Sequence, residues 1–134
     1  MRAQVRKAFT LVEILIVVII LGILAAIVVP QFTNASEDAQ ISNVQSQLQT
    51  IRNQIELFRV RNNGQYPDFA NNQWTDLTTA DYLRSAPNNP RTGSTTITFA
   101  AAPAANDAGG WVWDAGTSTM FAARFDEANA AWLD

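Results

Sequence analysis

Residues 9–29, FTLVEILIVVIILGILAAIVV, form an apolar run in which Glu13 is the only charge. At about 1.5 Å of rise per helical residue, the run reaches roughly 31 Å, the thickness of a bilayer's hydrocarbon core. Arg2, Arg6 and Lys7 stand before it, and a polar chain with no second apolar run follows. By the positive-inside rule the short N-terminus stays cytoplasmic, and the chain from about residue 30 onward faces out.

Two ordinary explanations account for part of this pattern. A secretory signal peptide has a basic start and an apolar middle, but that middle is usually about 7–15 residues and ends in a small-residue cleavage site. Here the nearest small pair, Ala25 and Ala26, is followed by more apolar residues. A plain single-span anchor explains the length but not Glu13, because a carboxylate in lipid costs about 2.5–3.5 kcal/mol. An acid there asks for a cationic partner, and the span supplies none; the alternative is a carboxylate snorkelling at the membrane edge.

The order Lys7-Ala8-Phe9-Thr10-Leu11-Val12-Glu13, followed by the apolar run with Gly22 and Pro30, resembles the N-terminus of type IV pilins and type II secretion pseudopilins. The family motif is a short basic leader, a small residue (nearly always Gly), then F-T-L-x-E and about twenty apolar residues. One departure is that Ala8 stands where the family has Gly. The resemblance implies cleavage by a prepilin peptidase between Ala8 and Phe9 and N-methylation of Phe9. Such a cut creates an α-amino cation about one helical turn from Glu13, close enough to interact. In a filament the same acid meets the amine of a neighbouring subunit, as is proposed for the family. Such a pair specifies register more than it adds stability, since desolvation offsets much of the attraction.

Composition narrows what the rest can do. Beyond residue 30 there are eleven acids and six arginines, a balance that argues against nucleic acid as a partner. There is no cysteine, so the disulfide loop of many type IV pilins cannot form, and no histidine, the commonest general base and metal ligand. No phosphate-cradling glycine loop or informative carboxylate pair replaces them. The chain does not read as an enzyme.

Taken in order, the chain divides into a leader (1–8), a transmembrane and assembly half of the first helix (9–30), a soluble amphipathic half (31–63), a connecting region (64–94) and a sheet with the C-terminus (95–134). Gly22 and Pro30 weaken the first half, since glycine loses about 1 kcal/mol in a helix interior and proline removes a hydrogen bond. They predict a kink at the membrane exit, and the resemblance implies unwinding between them on assembly. Ile41, Val44, Leu48, Ile51, Ile55 and Phe58 follow at spacings of three and four, an apolar stripe expected to bury against the chain's own C-terminal half. Asn63-Gly64 ends the helix. A short helix is expected over residues 74–83 with Thr78 or Thr79 as N-cap. The pattern Gly64-x-Tyr66-Pro67, Asp81-Tyr82-Leu83, Pro87-x-x-Pro90 is similar to the major pseudopilins, although Arg91-Thr92 replaces their Trp-Gly.

Residues 95–99 alternate as a strand, and residues 110–113 and 120–125 flank the turn signal Asp114-Ala-Gly116-Thr-Ser. The fold class is therefore α+β and pilin-like: a long N-terminal helix packed against a small antiparallel sheet. Ile97, Phe99, Trp111 or Trp113, Phe121 and Phe125 are the expected core donors, and Trp132 either adds an edge strand or tucks against the sheet. No cofactor is required. Calcium, which major pseudopilins hold in the loops of this sheet, would fall to Asp107 and Asp114; exposed solubilising acids are the alternative. The resemblance implies a structural subunit, a major pilin or major pseudopilin that polymerises through its apolar helix. A low-copy minor pilin and a membrane-tethered domain that never polymerises are the alternatives. Its implied partners are further copies of itself, the inner membrane, the prepilin peptidase, an assembly ATPase and a platform protein. The implied location is the bacterial inner membrane, then an extracellular pilus or a periplasmic pseudopilus.

Overall fold

The computed structural model describes residues 9–133, without the side chains of residues 30–34. Ala8, the leader and the Pro30 side chain lie outside the described residues. The chain forms two compact units, Met1–Glu37 and Asp38–Asp134, and the helix α1 (Leu11–Arg61) contributes to both. It is followed by α2 (Phe69–Asn72), α3 (Thr75–Thr79) and the strands β1 (Ile97–Phe99), β2 (Trp111–Asp114), β3 (Thr119–Ala122), β4 (Phe125–Asp126) and β5 (Ala131–Trp132).

In the second unit α1 supplies a stripe to the core. Val44, Leu48, Ile51 and Ile55 are buried, and Ile41 and Phe58 pack partly buried at its ends. The helix stops as its last residues dictate. Asn63 takes a positive φ of 55°, which lets the Gly64 amide turn back and donate to the Arg59 carbonyl at 2.8 Å, the outer bond of a Schellman closure. Both Asn63 and Gly64, the latter at φ 87°, lie in the left-handed region.

The sheet order is β1-β2-β3, with β4 and β5 forming a separate two-stranded ribbon. Strands β2 and β3 form the expected hairpin, in antiparallel register Trp111↔Ala122, Trp113↔Met120 and Asp114↔Thr119. Strand β1 departs from the antiparallel expectation: it runs parallel to β2, with Ile97↔Trp111 and Phe99↔Trp113, so the sheet is mixed. The intervening residues cross from one end of the sheet to the other, which a tight hairpin cannot do. Strand β5 pairs with β4, and Trp132 sits against Phe125 with ring centroids 5.4 Å apart.

Two expected core donors lie elsewhere. Phe99 is 50% exposed because β1 is an edge strand and the cover over Ile97 ends before it. Phe121 is only partly covered, since the register puts its neighbours Met120 and Ala122 on the tryptophan face. In their place the core takes Phe69, Trp74 and Leu77 from the connecting region. Phe69 packs against Trp74 and Trp113, and Trp74 meets Trp111 edge-on. These rings hold together through area burial and edge-to-face geometry.

The connecting region also caps differently from expectation. Neither Thr78 nor Thr79 is an N-cap; both lie inside α3, and the Thr78 hydroxyl donates back to the Trp74 carbonyl at 3.1 Å. The working cap is Asp68, whose carboxylate accepts from the Asn71 amide at 3.1 Å to start α2. Asp76 secures the junction by accepting from the Asp68 amide at 2.8 Å and from the Asn72 side chain at 2.9 Å.

Candidate assembly site

At its start, α1 closes a reciprocal cap. The Thr10 hydroxyl accepts from the Glu13 amide at 3.2 Å, and Glu13 Oε2 accepts from both the Thr10 amide and its hydroxyl at 3.0 Å. This is the capping-box arrangement, Thr at the N-cap and Glu three residues on. The spacing Thr10-x-x-Glu13 is visible in the sequence, although a charge in an apolar run points first to a cationic partner. The acid therefore has neutral partners within its own chain. It starts the helix and is already ordered one turn from Phe9.

Behind that cap the large apolar side chains from Phe9 to Val29 are all 41–81% exposed. Among the described residues one helical segment, Leu11–Val29, is long and apolar enough to cross a membrane. Burying such side chains is worth about 1.5–3 kcal/mol each, so leaving the whole segment in water would be costly. Phe9 precedes the helix and is 81% exposed. Gly22 lies inside α1 with open space where a Cβ would stand, so crowding does not require glycine there. Pro30 falls within the range of α1.

The head's candidate calcium ligands are engaged locally. Asp107 Oδ2 accepts from the Ala104 amide at 2.7 Å, while Arg124 Nε donates to the Asp107 carbonyl at 2.9 Å, fixing the loop before β2. Asp114 accepts from the Gly116 amide at 2.8 Å and the Thr117 hydroxyl at 2.6 Å, shaping the β2–β3 turn. Among the described residues, no three acidic side chains gather as a metal site would need. Arg52 makes several contacts on the head's surface. It donates to Glu127 through two nitrogens at 2.7–2.8 Å, donates from Nε to the Met120 carbonyl at 2.8 Å, and lies over the Phe121 ring. That pair tethers the residues between β4 and β5 to α1. It also edges an apolar groove of about 470 Å³ that includes Pro103, Phe121, Phe125 and Leu133.

Hydrogen bonds hold three head carboxylates below their ordinary value of 3.8: Asp68 through the Asn71 side chain and amide, Asp114 through the Thr117 hydroxyl and Gly116 amide, and Asp126 through the Asn129 side chain and amide. A depressed folded value adds stability above the unfolded value and loses it as pH falls through the folded one. Thermal melts of the head are therefore expected to be unaffected by these groups from pH 7 to about 5 and to drop below about pH 4. Asp114→Asn should flatten part of that drop; an unchanged acid limb would show that the turn bonds do not favour the ionised form.

Residues 4–29 match the prokaryotic N-terminal methylation motif. The chain is 48% identical over 53 residues to the type IV major fimbrial protein FimA of Dichelobacter nodosus, covering 40% of this chain and 34% of that protein. It is 36% identical over 62 residues to the type II secretion system core protein G of Pseudomonas aeruginosa, covering 46% of this chain and 44% of that one. To core protein G of Klebsiella michiganensis it is 34% identical over 67 residues, half of this chain and 46% of the relative. The chain spans less than half the length of the curated relatives it matches. No solved structure matches it. With a methylation motif over residues 4–29, an exposed apolar helix behind it and relatives named as a fimbrial protein and a secretion core protein, the N-terminal part of this chain is similar to the type IV pilins and type II secretion pseudopilins.

Proposed function

We propose that the chain is the repeating subunit of a type IV pilus-like filament, a major pilin or major pseudopilin, which polymerises through its N-terminal helix. The observation that carries this reading is the contrast along α1. The stripe from Val44 to Ile55 is buried within the head, whereas every large apolar side chain from Phe9 to Val29 is exposed. Lipid covers that segment in the stored subunit, and the same segments of other copies cover it in the fibre. Cleavage between Ala8 and Phe9, followed by methylation of Phe9, releases the α-amino cation. Glu13 then exchanges its bonds to Thr10 for that amine on a neighbouring copy, which sets the register. Unwinding between Gly22 and Pro30 accompanies the transfer out of the membrane. The prepilin peptidase, an assembly ATPase and a platform protein act on the subunit at the inner membrane, and the fibre ends as a surface pilus or a periplasmic pseudopilus. Calcium is not part of this proposal.

Glu13→Leu tests it. The expected result is at least a tenfold loss of filament with membrane insertion unchanged, since leucine is the better lipid-facing residue. Glu13→Gln retains acceptance from Thr10 but removes the charge, so it separates the cap from the ion pair. If Glu13→Gln assembles normally while Glu13→Leu does not, the capping role is the one that matters. Undiminished filament from both would leave a minor subunit or a plain tether as the better reading. Mass spectrometry of assembled material is expected to find a methylated N-terminus at Phe9.

A further inference from the structure

The outer edge of β1 is closed by side chains rather than by a strand. The Thr96 carbonyl and the Ala100 amide bond toward β2, accepting from Trp111 at 3.1 Å and donating to Trp113 at 3.3 Å. Alternation along a strand then turns the amide and carbonyl of Ile97 outward. Both are taken by one amide side chain: the Ile97 amide donates to Gln73 Oε1 at 2.8 Å, and Gln73 Nε2 donates to the Ile97 carbonyl at 3.3 Å. The next residue, Trp74, donates its indole N–H to the Thr95 carbonyl. Gln73 thus offers β1 the donor and acceptor that an added strand would offer.

Two independent features show why this position matters. Gln73 ends α2 with φ 50° and ψ −121°, a region that glycine occupies freely and other residues enter only under strain. Its side chain is retained in a backbone better suited to a residue without one. Meanwhile residues 92–106 carry no charge, and the β1 segment Thr95-Thr-Ile-Thr-Phe99 alternates β-branched and apolar residues with Phe99 half exposed. Uncharged, β-prone edges of this kind recruit strands from other chains, and proteins usually block them with charge or proline. Here no charged residue stands on the segment to do so.

We propose that Gln73 is an edge guard: it occupies β1 so that a second copy of this chain cannot add its own β1 there. The edge is a latent self-association surface, and any contact between heads is confined to other faces. The inference does not depend on whether the chain forms filaments.

The test uses the full chain in detergent micelles. Gln73→Gly removes the amide and suits the backbone, so the head should stay folded, with its near-ultraviolet circular dichroism intact. Exchange of the Ile97 amide is expected to quicken at least tenfold while that of Val112 is unchanged. Sedimentation is expected to shift from the wild-type species to dimers or larger. Because the chain has no cysteine, Phe99→Cys placed in the Gln73→Gly chain should form disulfide dimers on oxidation, and in the otherwise wild-type chain it should not. Gln73→Glu keeps an acceptor for the Ile97 amide and adds a charge at the edge, so it should sediment like wild type. Native-like Gln73→Gly that shows neither faster Ile97 exchange nor cross-linking would overturn the proposal. So would association accompanied by loss of the near-ultraviolet signal, because the residue would then serve stability alone.

Discussion

Gly110→Ala is expected to leave little folded head at ordinary temperatures. A Cβ built on Gly110 would lie 2.0 Å from the Ser94 carbonyl oxygen and 2.7 Å from its carbon, both backbone atoms that no rotamer change can move. Nor can Gly110 retreat. Its amide donates to the Thr96 carbonyl at 2.8 Å, and its carbonyl accepts from the Asn89 side chain at 2.8 Å and the Ala123 amide at 3.1 Å. The residue is bolted to both neighbouring strands, so relieving the clash means parting β1 from β2. Ordinary overpacking costs about 1–3 kcal/mol; a clash between two fixed backbones should exceed about 4 kcal/mol, a large share of a small domain's stability. Near-ultraviolet circular dichroism and thermal melting of the full chain in micelles would show it. A midpoint within a few degrees of wild type would mean that the Ser94 segment is far more compliant than its bonds imply.

Replacing Asn89 should be nearly as damaging, for the opposite reason. Asn89 is the one polar side chain among the described residues that is fully buried, and it is fully used. Its amide nitrogen donates to Gly110 at 2.8 Å and to Ala123 at 3.1 Å, while its oxygen accepts from the amides of Arg91 and Thr92. One side chain thus ties the turn after Pro87 to the ends of β2 and β3. Asn89→Leu keeps the volume but leaves the Ala123 carbonyl without this donor, and an orphaned buried group costs about 1–3 kcal/mol beyond the bonds lost. A total of about 3 kcal/mol is expected, which for a unit of this size lowers the melting midpoint by about 12–24 °C. A loss under about 1 kcal/mol would show that water replaces the amide, and the site would then count as wet.

Where sequence was legible, the physics was local. The stripe along α1 follows from helical period alone, and its burial needs only a sheet of any kind opposite. The β2–β3 hairpin follows from Asp114, Gly116 and their neighbours, because a turn writes its requirements into four or five residues. Glu13 was conspicuous as a charge in an apolar run, yet its bonds to Thr10 were hidden behind the question of what cation it needs. Strand direction is not written locally. Nothing in residues 95–99 distinguishes a parallel from an antiparallel partner, and the answer depends on where the following loop lands. The misplacement of Phe99 and Phe121 has the same origin: alternation identifies two faces, but register decides which face is covered and how far along. Gln73 and Asn89 were unreadable for a related reason. A glutamine or asparagine in a polar stretch looks like surface until a strand arrives from 20 or more residues away to use its amide.

All four tryptophans, at positions 74, 111, 113 and 132, are packed inside the head, and none lies in the apolar run. Tryptophan emission from this protein therefore comes from the second unit alone, whatever surrounds the first. The same optical signal can be followed in a micelle, in a vesicle or along a fibre without labelling. It would tell whether the head keeps its interior while the greasy segment changes solvent.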